Sequence, residues 1–357
     1  MNCMDLNKLL ELPHRRFNPL TGEWILVSPH RTARPWQGER EEREKAGKPS
    51  YDPNCYLCPG NRRAGGLTNP NYQTTYSFIN DFPALIPDIH FDESTDLKFE
   101  RGRNLLLAKP ERGICKVICF SPRHDLTLAT MREEEILPVV ELWIKEYEEL
   151  GSRPFINYVQ IFENRGVIMG CSNHHPHGQV WATSSIPNQL DLETRNQQEY
   201  KSTNGSCLIC DYLKLELDLK ERVVYSNDSF VVVVPFWAIW PFEIMVIPGK
   251  HMTSISEMGR QERLALAESL RITGIRYDNL FLTDFPYSMG IHQRPTDGKE
   301  HREWHFHLHY YPPLLRSATV KKFMVGFEML AMPQRDITAE KAAERLKEQS
   351  DIHYRVR

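Results

Sequence analysis

The sequence predicts an α+β fold made of two copies of one unit, with mostly antiparallel sheet and helices packed against it. Three observations predict it. A C-x-x-C pair occurs twice, at Cys55–Cys58 and at Cys207–Cys210. Each pair is followed by apolar strands, a single histidine (His124, His251), a helical stretch and a histidine-rich strand (His175-Pro176-His177, His305-Phe306-His307). The spacing also agrees, with 51 residues from His124 to His175 and 54 from His251 to His305. Self-similarity at matched spacing marks a duplicated unit, and strand-rich runs beside long helical patterns point to α+β.

In the first copy, Cys115 to Phe120 is an apolar strand. Ile136, Val140, Trp143, Ile144 and Tyr147 then fall on one face of a 3.6-residue period, which predicts a helix ending at Gly151. Pro138 inside that pattern is expected to kink the helix or to mark its first regular turn. Ile156 to Phe162 reads as the next strand. In the second copy, Phe230–Val234 and Ile244–Ile247 read as strands, and Leu266, Leu270, Thr273 and Tyr277 line a helix. The apolar run Leu280-Phe281-Leu282 reads as a further strand. Residues 185–205, polar and rich in Asn and Gln, read as a partly helical linker, so the halves are expected at 1–184 and 185–357.

The composition narrows the function. The 357 residues carry 44 Lys and Arg against 47 Asp and Glu, a net charge of -3 without long single-sign blocks. That balance excludes a broad nucleic-acid-binding face. No run of 18 apolar residues suits a membrane span, and the N-terminus lacks a secretory leader. The eight cysteines are therefore expected as reduced thiols in the cytoplasm, where C-x-x-C means metal or redox chemistry. A redox motif needs a βαβ context, whereas Cys58 is followed by the loop Pro59-Gly60-Asn61-Arg62, so metal is the expected reading.

Alternate residues of a strand share a face, which puts His175, His177 and Gln179 together. A lone His-x-His would fit a solvent-facing strand. Here the neighbouring Gly170, Cys171, Ser172 and Gly178 are small enough to admit a ligand, and Asn164 ends the preceding strand.

The tract Gly170-Cys171-Ser172-Asn173-His174-His175-Pro176-His177-Gly178-Gln179-Val180-Trp181-Ala182 resembles the active-site signature of the galactose-1-phosphate uridylyltransferases, the transferase branch of the histidine-triad superfamily. The resemblance extends to His14–Gly22, Ser28–Gly38, Phe285–Gly290 and Tyr311–Val320. It implies two histidine-triad-like halves, each a half-barrel of sheet. It also implies exchange of uridylyl between UDP-glucose and galactose 1-phosphate, giving glucose 1-phosphate and UDP-galactose. His177 is then the nucleophile that becomes covalently uridylylated, and Gln179 the amide that hydrogen-bonds the phosphoryl oxygens. Gly170, Cys171 and Ser172 would cradle phosphate, with Asn164 beside them. Tyr56, Asn80, Asp81 and Phe82 would take uridine and ribose. Arg31 and Arg34 resemble arginines that reach the partner's site in a homodimer with shared active sites. Lys322, Val325, Phe327, Glu328 and Gln334 resemble the hexose-binding stretch, in which Tyr is common where this chain has Phe327.

The same resemblance implies a Cys₂His₂ zinc site of Cys55, Cys58, His124 and His175, structural because all four positions are filled. A second metal, iron or zinc, would be held by Glu193, His292, His307 and His309. The duplication maps the first zinc set onto Cys207, Cys210, His251 and His305, a possible further zinc site. Two rival readings share the motif. His305-Phe306-His307-Leu308-His309 by itself spells a histidine-triad nucleotide hydrolase, and an ADP-glucose phosphorylase-like adenylyltransferase would use the same His177. A zinc-stabilised nucleotide-binding module without turnover is disfavoured by the intact His177 and Gln179.

Overall fold

The structure is a computed structural model and describes residues 11–33, 47–89, 97–98, 105–171, 173–313 and 324–357. The first described strands are a hairpin of β1 (His14–Asn18) and β2 (Glu23–Val27), with β3 (Tyr76–Ile79) and the short pair β4 (Leu97–Lys98) and β5 (Leu107–Ala108) after them. The first half continues with β6 (Gly113–Cys119), α1 (Glu133–Gly151), β7 (Tyr158–Arg165) and β8 (His177–Thr183). Two helices follow, α2 (Asn188–Asn204) and α3 (Leu208–Leu219). The second half holds β9 (Val223–Ser226), β10 (Phe230–Val233), β11 (Ile244–Pro248), α4 (Arg260–Phe281), β12 (Tyr287–His292) and β13 (His307–Tyr311). A four-residue turn of helix, α5 (Phe327–Leu330), the two-residue β14 (Gln334–Arg335) and α6 (Ala339–Lys347) complete it.

Nine strands form one open sheet in the order β3-β6-β8-β7-β12-β13-β11-β10-β9. Its pairs are antiparallel throughout. The duplicated order is visible in the sheet: β3-β6-β8-β7 in one half is matched by β10-β11-β13-β12 in the other. The halves meet where β7 pairs with β12.

One face of the sheet is apolar from end to end. Ile118, Ile161 and Val180 from the first half, and Val232, Ile244 and Leu308 from the second, share one core with Trp143 of α1 and Leu270 of α4. The predicted helical face of α1 is the buried one, and the helix runs unbroken across Pro138. Proline there removes one backbone donor but leaves the turns on either side intact. The other face carries the chemistry. In the first half it is covered by the Cys55–Tyr72 loop. In the second it is covered by α3, whose Leu208, Ile209 and Leu213 pack on Val231, Val233, Met245 and Ile247.

One expected strand is absent. Leu280 and Phe281 are the last turn of α4, and Leu282 caps it in the left-handed conformation at φ 53°. The apolar period of the helix carries on through Tyr277 to Phe281, which stacks on Phe285 at 5.6 Å, so the strand starts only at Tyr287. The linker is more helical than expected: α2 fills Asn188–Asn204 and ends at Gly205 with φ 74°. No helix among the described residues is long and apolar enough to cross a membrane.

Candidate active site

His177 opens β8, and its Nδ1 lies 2.7 Å from the His175 carbonyl oxygen. A carbonyl only accepts, so Nδ1 carries the proton and donates. Nε2 is left with its lone pair. Burial holds the imidazole below the usual histidine range, against the pull of that hydrogen bond, so the ring is neutral at pH 7. His177 and Gln179, one strand period apart, open on a cavity of about 180 Å³. Its other walls include Tyr56, Asn80, Asp81 and Phe82, all expected at the nucleotide. Asp81 is fixed there by the Gly65 N–H at 3.0 Å and Arg63 at 3.5 Å.

On the neighbouring strand, Asn164 accepts a hydrogen bond from the Ser288 hydroxyl at 2.7 Å. Gly170 has φ 78° and closes the turn Val167–Met169, a conformation that favours glycine. Cys171 donates to the Asn173 carbonyl at 3.1 Å, and burial raises its thiol, so it is a packed residue and not a thiolate. Ser172, Arg34 and Lys322 lie outside the described residues.

Asn164, Gly170 and Cys171 do not line the His177 cavity, and neither do the remaining described substrate candidates. Arg31 pairs with Asp336 at 3.4 Å. Val325 and Phe327 are exposed, and Glu328 pairs with Arg335 at 2.7 Å. Gln334 lies in β14, which pairs parallel with β2. Thus the N-terminal arm and the 325–334 stretch meet one another in a small three-stranded sheet, β1-β2-β14.

The structure brings together all three expected ligand sets, the donor atoms of each lying within 4.8 Å of one another. In the first, Cys58 Sγ lies 3.5 Å from His175 Nδ1 and 3.7 Å from His124 Nδ1. His175 Nε2 donates to the Ser121 carbonyl at 2.8 Å, which turns Nδ1 toward the sulfurs. Burial pushes the Cys58 thiol up to about 11 and holds His175 down at about 3. Two buried thiols beside two neutral imidazoles fit a tetrahedral zinc ion, whose charge would make the thiolates stable.

The second Cys₂His₂ set repeats this down to its outer contact. His305 Nδ1 is 3.6 Å from Cys207 and 3.3 Å from Cys210, and His251 Nδ1 is 3.5 Å from Cys210. His305 Nε2 donates to the Pro248 carbonyl at 3.1 Å. Pro248 stands where Ser121 stands in the first unit. The settings differ, however: the first set is wholly buried, whereas Cys207 and Cys210 are half-buried and His251 is exposed.

The third set is buried throughout. Glu193 reaches from α2 to His292 Nδ1 at 3.0 Å. His307 donates through Nδ1 to the His305 carbonyl at 2.8 Å, so its Nε2 faces His309 Nε2 at 3.0 Å. Burial works to raise the Glu193 carboxyl, but His292 and His307 bring it below its usual range. A carboxylate with three converging imidazoles fits iron or zinc. This centre occupies the second unit's counterpart of the His177 cleft. Phe162 pairs with Gln179 and Gly290 with His309, which sets Gln179 against His309, His177 against His307 and Asn164 against His292.

Two family descriptions match the chain: galactose-1-phosphate uridyl transferase N-terminal domain over residues 4–187, and its C-terminal domain over 193–357. Galactose-1-phosphate uridylyltransferase of Haemophilus influenzae is 49% identical over 348 residues, covering 97% of each chain. The Saccharomyces cerevisiae enzyme of that name is 50% identical over 351 residues, covering 96% of each. A solved uridylyltransferase structure superposes with a TM-score of 0.72 at 27% identity, covering 93% of this chain and 97% of that one. Both halves are matched and the likeness runs nearly end to end, so the chain is a transferase that belongs to the galactose-1-phosphate uridylyltransferase family.

Proposed function

We propose that the chain exchanges uridylyl between UDP-glucose and galactose 1-phosphate through a covalent uridylyl-His177. The observation that carries this reading is the tethered imidazole: Nδ1 is spent on the His175 carbonyl, and Nε2 is left on a cavity shared with Gln179. Nε2 attacks the α-phosphorus of UDP-glucose, the bond to the bridging oxygen breaks, and glucose 1-phosphate leaves. A phosphate oxygen of galactose 1-phosphate then attacks the same phosphorus, the N–P bond breaks, and UDP-galactose leaves. Splitting one displacement into two is covalent catalysis. Gln179 donates to the non-bridging oxygens as negative charge builds on them, and Asp81 is suited to the ribose hydroxyls.

Cys55, Cys58, His124 and His175 hold zinc, which anchors β8 two residues from the nucleophile. Cys207, Cys210, His251 and His305 hold a further zinc, and Glu193, His292, His307 and His309 hold iron or zinc. None of these ions has a place in the transfer itself. The family resemblance of Arg31, with Val325, Phe327 and Glu328 outside the walls of the His177 cavity, favours a homodimer in which these residues serve the partner's site. The expected compartment is the reducing cytoplasm.

The test is to incubate the protein with UDP-glucose alone. Up to one equivalent of glucose 1-phosphate and a uridylyl mass adduct on the tryptic peptide containing His177 are expected. An adduct formed from ADP-glucose in preference would favour the adenylyltransferase reading, and free UMP without an adduct would favour the hydrolase.

A further inference from the structure

A carboxamide offers an acceptor at one end and a donor at the other, and only its neighbours decide which end faces a ligand. A phosphoryl group in transfer needs the donor end. Two amides face this choice, Gln179 in the wall of the His177 cavity and Asn164 on the neighbouring strand β7.

Gln179 is the more tightly determined. Trp181, two residues on and so on the same face of β8, places its indole Nε1 3.0 Å from Gln179 Oε1. An indole N–H can only donate. If the amide were flipped, two donors would face each other and the Trp181 N–H would lose its partner, at an energy that strongly depopulates that arrangement. Gln179 is thus held with its oxygen on Trp181 and its NH₂ end directed away from it. The indole is itself held: Phe162, directly across from Gln179 in the β7–β8 ladder, meets the Trp181 ring edge-on at 5.8 Å and 74°. Asn164 is not fixed in this way, because its partner is a hydroxyl, which can donate or accept. Ser288, its direct partner across the β7–β12 ladder, donates its hydroxyl to Asn164 Oδ1 at 2.7 Å.

We infer that Trp181 is a positioning residue for the transfer step, which fixes the Gln179 carboxamide as a one-way donor to the phosphoryl oxygens. A neutral amide then stabilises developing charge, and no reorganisation of Gln179 is needed as the phosphorus is attacked. The inference rests on the uridylyl-transfer reading of the His177 cavity.

Trp181→Phe keeps an aromatic ring against Phe162 and removes the N–H. In single-turnover measurements with UDP-glucose, we expect the variant to form the uridylyl-enzyme about tenfold more slowly. That is less than the hundredfold or more typical of deleting a direct donor to the oxyanion. The concentration of UDP-glucose giving half-maximal rate should stay within about twofold, because the amide's donor is needed most when charge has built. The decisive arm is the cycle with Gln179→Ala: if Trp181 acts through Gln179, Trp181→Phe slows the Gln179→Ala enzyme no further. An equal slowing in both backgrounds, or an unchanged rate in the single variant, would overturn the inference. Should the phenylalanine variant fail to fold, benzothienylalanine at 181 keeps the bicyclic shape and replaces the N–H with sulfur, and the same outcomes apply. An unmodified enzyme that forms no adduct would instead defeat the function reading, independently of Trp181.

Discussion

Replacing Gly178 with alanine tests how closely the nucleophile strand is packed. Gly178 lies between His177 and Gln179, with its missing side chain directed at the helix-covered face. A Cβ placed there meets the Phe162 carbonyl oxygen at 2.8 Å and Phe120 Cζ at 2.9 Å. Both contacts are about 0.5 Å or more short of ordinary van der Waals separation. The oxygen belongs to the backbone of a central strand, and Phe120 is wedged edge-on against Trp143 at 5.9 Å, so neither can swing aside. β8 must then move away from β7, at a cost of about 1–3 kcal/mol, the usual range for overpacking a core. The same movement carries His177 and Gln179 off line, and displacements approaching 1 Å cost on the order of a hundredfold in rate. Urea denaturation followed by tryptophan fluorescence measures the first effect, and single-turnover adduct formation with UDP-glucose measures the second. Gly290→Ala is the milder comparison: its Cβ meets the Gln160 side-chain nitrogen at 3.2 Å and backbone only at 3.8 Å, so a smaller shift relieves it. Gly178→Ala with a wild-type urea midpoint and a wild-type rate of adduct formation would refute the packing argument.

His177→Ala should leave the circular dichroism spectrum unchanged and give no adduct with UDP-glucose; turnover at the wild-type rate would remove the covalent mechanism. Cys207→Ser with Cys210→Ser should lose one zinc per chain by elemental analysis while keeping transfer, and unchanged zinc content would defeat the second Cys₂His₂ site. Glu163 supplies a pH prediction. Burial raises its carboxyl to about 7, despite Arg165 and the Tyr287 hydroxyl working the other way. A carboxyl raised on folding contributes stability that is present below its ordinary value near 4.5 and is lost as pH rises through about 7. The loss is roughly 3 kcal/mol. Glu163→Gln should therefore be relatively more stable at pH 8 than at pH 5 when its urea midpoints are set against wild type, and a difference that does not change with pH would refute the assignment.

The features that repeat are the ones the sequence displays. Two C-x-x-C pairs, two lone histidines and two histidine strands in one order revealed the duplication, and that mapping found Cys207, Cys210, His251 and His305 as a set. Long amphipathic periods revealed α1 and α4. The three apolar residues Leu280–Leu282 misled because so short a run suits a strand or a helix end equally; Tyr277 stacking on Phe285 at 4.8 Å shows which environment prevailed. Helix α3 also carries a sequence signal, since Leu208, Ile209, Tyr212 and Leu213 recur at helical spacing. Glu193 carries no local mark: it lies on a polar helix, and only the folding of α2 over β12 brings it to His292. The buried Arg165–Asp278 pair at 2.8 Å was equally hidden, because its partners lie far apart in the chain. Trp181 was visible as a motif residue, but its donor role depends on a side-chain direction that spacing does not give.

The ladder between β7 and β12 has an implication for ancestry. Phe162 and Gly290 hold the same place in their respective units, and in that ladder they pair with each other. An antiparallel pair in which a residue faces its own counterpart is what a two-fold axis produces when identical subunits join edge to edge. The single chain is therefore laid out as a homodimer whose subunits have been joined through α2. Two separate identical subunits must change in step, since one gene encodes both. Joining them lifted that constraint. The two halves now differ where Asn164 and Gln179 of one answer to His292 and His309 of the other, while His177 and His307 are the same residue, and the linking helix α2 brings Glu193 over the second set.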